Sequence, residues 1–156
     1  MDHIPGGGVI RGRVPPADEE NTVSQQHQPW TVELGEHDEK MGIEVLEQSA
    51  GKVVARIPIA GNRQFRGVLH GGAIIALGEA VAGWGVLIHA SSLGMGAVGV
   101  DINATHHRTG LSGFATATAT AIKLGRMLAS YEVVVNDDGE RLSTIRVTNA
   151  IIGMST

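Results

Sequence analysis

At 156 residues, with 42% of them hydrophobic and 18% charged, the chain has the bulk for one domain with a sizeable core. A net charge of -4 supplies no basic field for nucleic acid or an anionic membrane surface, and the absence of cysteine excludes disulfides and thiolate metal sites. No charged stretch followed by an apolar one marks a signal peptide at the start, so the expected compartment is the cytoplasm.

Residues 1–28 read as a flexible tail, because Gly6-Gly7-Gly8, Pro15-Pro16 and a polar run through Gln28 offer little to bury. The folded domain is expected over 29–156, beginning at Pro29-Trp30. His37-Asp38-Glu39-Lys40 suggests a short helical turn before Gly42, and a charged run of this kind ordinarily forms a solvated face. Ile43 to Gln48 and Lys52 to Ala60 flank Ser49-Ala50-Gly51, and in the second run Val53, Ala55, Ile57 and Ile59 alternate with other residues. Period two around a Gly-containing connection predicts a hairpin. Pro58 confines its segment to a sheet edge or a strand end.

The stretch from Asn62 to Gly85 organises the rest. It begins polar and Gly-rich, turns at His70-Gly71-Gly72, and from Ala73 to Ile88 holds only Ala, Ile, Leu, Val, Trp and Gly besides Glu79. A helix apolar on every side, expected from about Gly72 to Ala90, belongs in a core. The apolar run falls short of the ~20 residues that span a bilayer, and an acid sits in its middle. The rest of the chain reads as strands. Val98, Val100, Ile102 and Ala104 should share one face of a strand over Ala97 to Thr105, with Gly99, Asp101, Asn103 and Thr105 on the other. Phe114 to Lys123 alternates Thr with Ala, Leu128 to Asn136 is rich in Val, Asn136-Asp137-Asp138-Gly139 is a turn, and Arg141 to Ile152 closes the sheet. A hairpin, one long helix and a meander of about four strands predict an α+β fold: an antiparallel sheet wrapped around one central helix.

Gly71 and Gly72 stand where the helix begins. Free N–H groups and the positive end of the helix dipole there suit an oxyanion hole, although two glycines also simply make a tight turn. Burial of Glu79 would raise its pKa, as a general base near neutral pH requires; a carboxylate can also attack a carbonyl directly, or serve a structural hydrogen bond. Gly71 and Glu79 are eight residues apart, ~12 Å along a helix, so one acyl group cannot easily touch both in one chain. A shared site therefore implies a second copy. Gln64 and His70 flank the helix entry and could bond a substrate carbonyl or order the loop. His106 and His107 are adjacent and should point to opposite faces of a strand, which chelates poorly, so no metal is assigned.

Three segments, RQFRGVLHGGAIIALGEAVAGWG, VGVDINATHHRTG and IKLGRMLASYEVVVNDDGERL, resemble the hotdog-fold acyl-CoA thioesterases. The resemblance is to the branch containing phenylacetate-pathway thioesterases, the enterobactin proofreading thioesterase and the Arthrobacter-type 4-hydroxybenzoyl-CoA thioesterase, and it covers roughly Met41 to Ile152. It implies hydrolysis of an acyl- or aroyl-CoA to free acid and coenzyme A, with no cofactor beyond the coenzyme A of the substrate. Glu79 would be nucleophile or base, Gly71 N–H would polarise the thioester carbonyl beside Gly72, and Gln64 and His70 would support it. Arg108, Gly125 and Arg126 match positions near the coenzyme A nucleotide, and Arg suits bidentate phosphate contacts. The resemblance also implies a dimer or tetramer with the site at the subunit interface. Gly83 stands one turn after the acid, where relatives often carry a Ser or Thr that helps hold the attacking water, and Thr109 replaces a common Pro. Gly78, Gly83 and Gly85 are candidates to widen an acyl pocket. Two rivals stay open: a hotdog hydratase, which usually pairs an Asp with a His near the helix start, and a module that binds acyl-CoA without turnover.

Overall fold

The computed structural model describes residues 31–154; the tail expected at 1–28 and the domain start at Pro29-Trp30 lie outside them. The elements run α1 (Glu36–Met41), β1 (Glu44–Gln48), β2 (Lys52–Pro58), α2 (Gly71–Ser91), β3 (Gly96–His106), β4 (Phe114–Leu124), β5 (Leu128–Asp137) and β6 (Glu140–Ile152). The strands form one antiparallel sheet in the order β1-β2-β4-β5-β6-β3, packed around α2. The α+β architecture read from the sequence is the one observed.

Alternation builds the core. Val53, Ala55 and Ile57 of β2, with Ile59 just beyond it, are fully buried, as are Ala115, Ala117 and Ala119 of β4. The small Ala side chains let the sheet curve close to α2, while the intervening Thr residues supply β-branched stiffness. Asp138 and Gly139 both have positive φ, 41° and 84°, and form the two-residue turn between β5 and β6. Tyr131 is buried against α2; its hydroxyl donates to Ala50 O at 2.8 Å, and burial pushes its pKa up.

Three expectations are corrected. β4, β5 and β6 form a meander, but β3 is not part of it: β3 crosses to the far edge and pairs with β6. A register shift between Gly99 and Asp101 breaks the alternation of β3. Ala97, Ile102 and Ala104 pack toward the core while Val98 and Val100 are exposed, so the four apolar residues do not share one face. Pro58 ends its strand, one of the two placements expected of it; β2 itself is an interior strand and β1 takes the edge. Finally, α2 has 21 residues and is long and apolar enough to cross a membrane by length and composition. Its packing inside the sheet, not its length, makes it a core helix.

Candidate active site

The loop before α2 is anchored at Asn62, whose Nδ2 donates to Met41 O and Pro58 O at 2.8 Å each and whose own carbonyl accepts from His70 N. Gln64 Oε1 accepts from Arg66 N at 2.7 Å, which leaves its amide nitrogen as a donor. His70 is the N-cap of α2: its Nδ1 accepts from Gly72 N at 2.8 Å. A neutral ring with Nδ1 as acceptor carries its proton on Nε2, a second outward donor. Gly72 N–H is spent on the cap and Ala73 N–H on His70 O, so Gly71 N–H is the free donor of this first turn.

His106, dismissed above as a poor chelator, closes this end of the site. A Cβ on Gly71 would stand 2.9 Å from His106 Nε2, so Gly here lets the tip of the imidazole lie against the helix start without shifting. His106 Nδ1 meets Ser143 Oγ at 3.1 Å, and Ser143 Oγ donates to Thr105 O at 2.9 Å. Both contacts are served only if Nδ1 carries the proton, which leaves Nε2 as an acceptor beside the Gly71 donor. His107 points the other way, to Thr144. No spacing rule flags His106; its relevance comes from β3 lying against the start of α2.

Glu79 lies elsewhere. It is exposed in the single chain, which corrects the expectation of a buried acid: the sheet covers one side of α2 and leaves the side bearing Glu79 open. The carboxylate lines a cleft of about 440 Å³. Ala76, Ala80, Gly83, Trp84 and Leu87 of the helix, Ala97 to Gly99 of β3 and Asn149 of β6 form its walls, with His37 and Asp38 of α1 at the side. The charged run of α1 is therefore more than a solvated face. Of the three glycines proposed to widen a pocket, only Gly83 lines the cleft. Gly78 and Gly85 face the sheet instead, where an added Cβ would stand 2.5 Å from Ile145 Cδ1 and 2.9 Å from the Tyr131 ring.

The structure thus brings His70, Gly71 and His106 together at the start of α2, with Gln64 in the loop that leads into it, and sets Glu79 with Gly83 and Asn149 in a cleft two turns further along. The two arginines differ. Arg108 is engaged by Asp137 and by Glu140 Oε2, the latter at 3.2 Å, so its guanidinium is already paired. Arg126 is exposed in the β4–β5 hairpin, with no ion pair among the described residues. That hairpin is tied to the end of α2 by His89 Nε2, 2.7 Å from Gly125 O.

These features define a hotdog domain with an acid on its central helix and donors at the helix start. The Thioesterase superfamily signature matches residues 66–144, and the chain belongs to that family. It is 38% identical over 118 residues to a proofreading thioesterase of Klebsiella pneumoniae, covering 72% of this chain and 83% of that one. It is 34% identical over 123 residues to a 1,4-dihydroxy-2-naphthoyl-CoA hydrolase of Listeria monocytogenes, covering 72% and 93%. Among solved structures, a mutant thioesterase of Pseudomonas aeruginosa superposes with a TM-score of 0.72 at 28% identity, over 76% of this chain and 86% of that one.

Proposed function

We propose that this thioester hydrolase acts on acyl- or aroyl-CoA in the cytoplasm, as a homo-oligomer whose site forms between two copies. The observation that carries the reading is the division of the site: a carboxylate in an apolar cleft and, two helical turns away, a single free N–H with donors around it. Gly71 N–H takes the thioester oxygen as it gains charge, and Gln64 and His70 position the carbonyl. Glu79 from the other copy attacks the carbonyl carbon or activates the water that does. In either route the C–S bond breaks, the thiolate leaves and is protonated, and the acid is released. The unpaired edge of β3, with Val98 and Val100 exposed beside the cleft, is the surface a second copy would cover. Trp84, Leu87 and the alanines of the cleft favour an apolar or aromatic acyl group. Arg126, near Gly125, is an exposed cation without an ion pair among the described residues and suits contact with coenzyme A phosphates.

A screen of thiol release against short, medium, long and aromatic acyl-CoAs tests this. Release of coenzyme A that Glu79→Gln abolishes is the expected result. Binding without release, or conversion without free thiol, would refute hydrolysis.

A further inference from the structure

The helix that carries Gly71 and Glu79 also grips the hairpin that carries Arg126. His89, half-buried in the last turn of α2, lies with its Nε2 2.7 Å from Gly125 O. A carbonyl oxygen only accepts, so the imidazole carries a proton on Nε2 and donates it. This bond reshapes the turn. Gly125 and Leu128 close the β4–β5 hairpin, and such a pair can exchange two backbone bonds. Here Gly125 N donates to Leu128 O at 3.0 Å, while Gly125 O takes no backbone N–H among the described residues and accepts from His89 instead. The approach is close: a Cβ on Gly125 would stand 2.5 Å from Leu128 O, a backbone atom. On its other side the turn is pinned by Ile151 N, which donates to Met127 O at 2.8 Å.

The consequence falls on Arg126. In a trans peptide the C=O and the N–H that follows it point in opposite directions. With Gly125 O drawn to the helix, Arg126 N–H is turned away from it and meets no acceptor among the described residues. Arg126 is exposed, so this one residue offers an anion both a backbone N–H and a guanidinium. Glu79 and His89 stand on the same helix, ~15 Å apart along its axis at 1.5 Å per residue. The helix thereby fixes the separation between the carboxylate and the hairpin turn. We propose that His89 is a positioning residue for the nucleotide end of the substrate: it holds the Gly125–Arg126 peptide so that Arg126 meets a coenzyme A phosphate with both donors. This inference rests on the acyl-CoA reading above.

His89→Phe keeps an aromatic ring and removes the donor. KM for an acyl-CoA should rise about five-fold, the loss expected from one hydrogen bond, with kcat little changed. KM for the matching pantetheine thioester, which lacks the nucleotide, should not move. His89→Gln places an amide nitrogen near the position of Nε2 and should restore the lower KM, whereas the shorter His89→Asn should behave as His89→Phe does. Combining His89→Phe with Arg126→Ala should raise KM by less than the product of the two single effects, because both act on one contact. An unchanged KM for acyl-CoA in His89→Phe and His89→Asn would overturn the proposal. So would a rise that is equal on both thioesters, or one that comes with a lower melting temperature and is not recovered by His89→Gln; His89 would then only secure the end of the helix. If Arg126→Ala leaves KM unaltered on both substrates, the phosphate contact of the acyl-CoA reading fails and this inference goes with it. If Arg126→Ala raises KM for acyl-CoA and the His89 variants do not, that reading stands and the positioning role alone is removed.

Discussion

The two sides of α2 are built from the same residue types and do opposite things. The side against the sheet carries Ile74, Leu77, Gly78, Val81, Ala82 and Gly85, all buried. The other side carries Ala76, Glu79, Ala80 and Gly83 and opens onto the cleft. Even glycine changes meaning across the helix. Gly85 lets the Tyr131 ring approach the backbone, while Gly83 leaves space that nothing fills. A helix apolar all round need not be enclosed all round. One side is packed by its own chain, and the other opens onto the cleft that the proposed function gives to substrate and a second copy.

Substitutions on the two sides should therefore fail differently. Glu79→Gln has the largest expected effect: turnover falls roughly 10²- to 10⁴-fold in a thiol-release assay, with an unchanged melting curve, because Glu79 makes no packing contact the fold depends on. Leu77→Ala, on the sheet side, should cost about 2–5 kcal/mol in urea unfolding, since Leu77 is fully buried and the cavity cannot close around it. The glycines give the sharpest contrast. Gly85→Ala places a methyl 2.9 Å from the Tyr131 ring and should cost about 1–3 kcal/mol, whereas Gly83→Ala meets open space and should gain up to about 1 kcal/mol from helix propensity. Equal melting shifts for the two variants would erase the distinction between the sides. The smallest effect separates the arginines. Arg126→Ala should raise KM for acyl-CoA several-fold but not for a pantetheine thioester lacking the nucleotide, while Arg108→Ala, which breaks the pairs to Asp137 and Glu140, should show mainly as lower stability.

Much of this could be read from residues alone, and the failures share a cause. The hairpin, the long helix and the strands after it follow from period and turn chemistry, which are local. The placement of β3 beside β6 and the bulge at Gly99 are set by tertiary pairing, and no periodicity encodes them. Glu79 was identifiable as the one charge in an apolar run, yet its exposure was not, because both sides of α2 are apolar. His106 and Asn149 were missed for a related reason. Each lies on a strand remote in sequence from the helix it faces, and an ordinary polar residue on an alternating strand gives no signal of what stands opposite.

The claim that the site is divided between two copies can be tested by subunit exchange. Glu79→Gln damages the cleft and Gln64→Ala damages the helix entry; each variant must be folded, strongly impaired and able to exchange. If the two residues serve one site across a two-fold interface, every mixed dimer has one doubly damaged site and one intact site. Random mixing makes half of the dimers mixed, so about a quarter of wild-type activity should return. If both residues serve a site within one chain, every site keeps a lesion. A mixture no more active than the average of its parents would contradict the divided site.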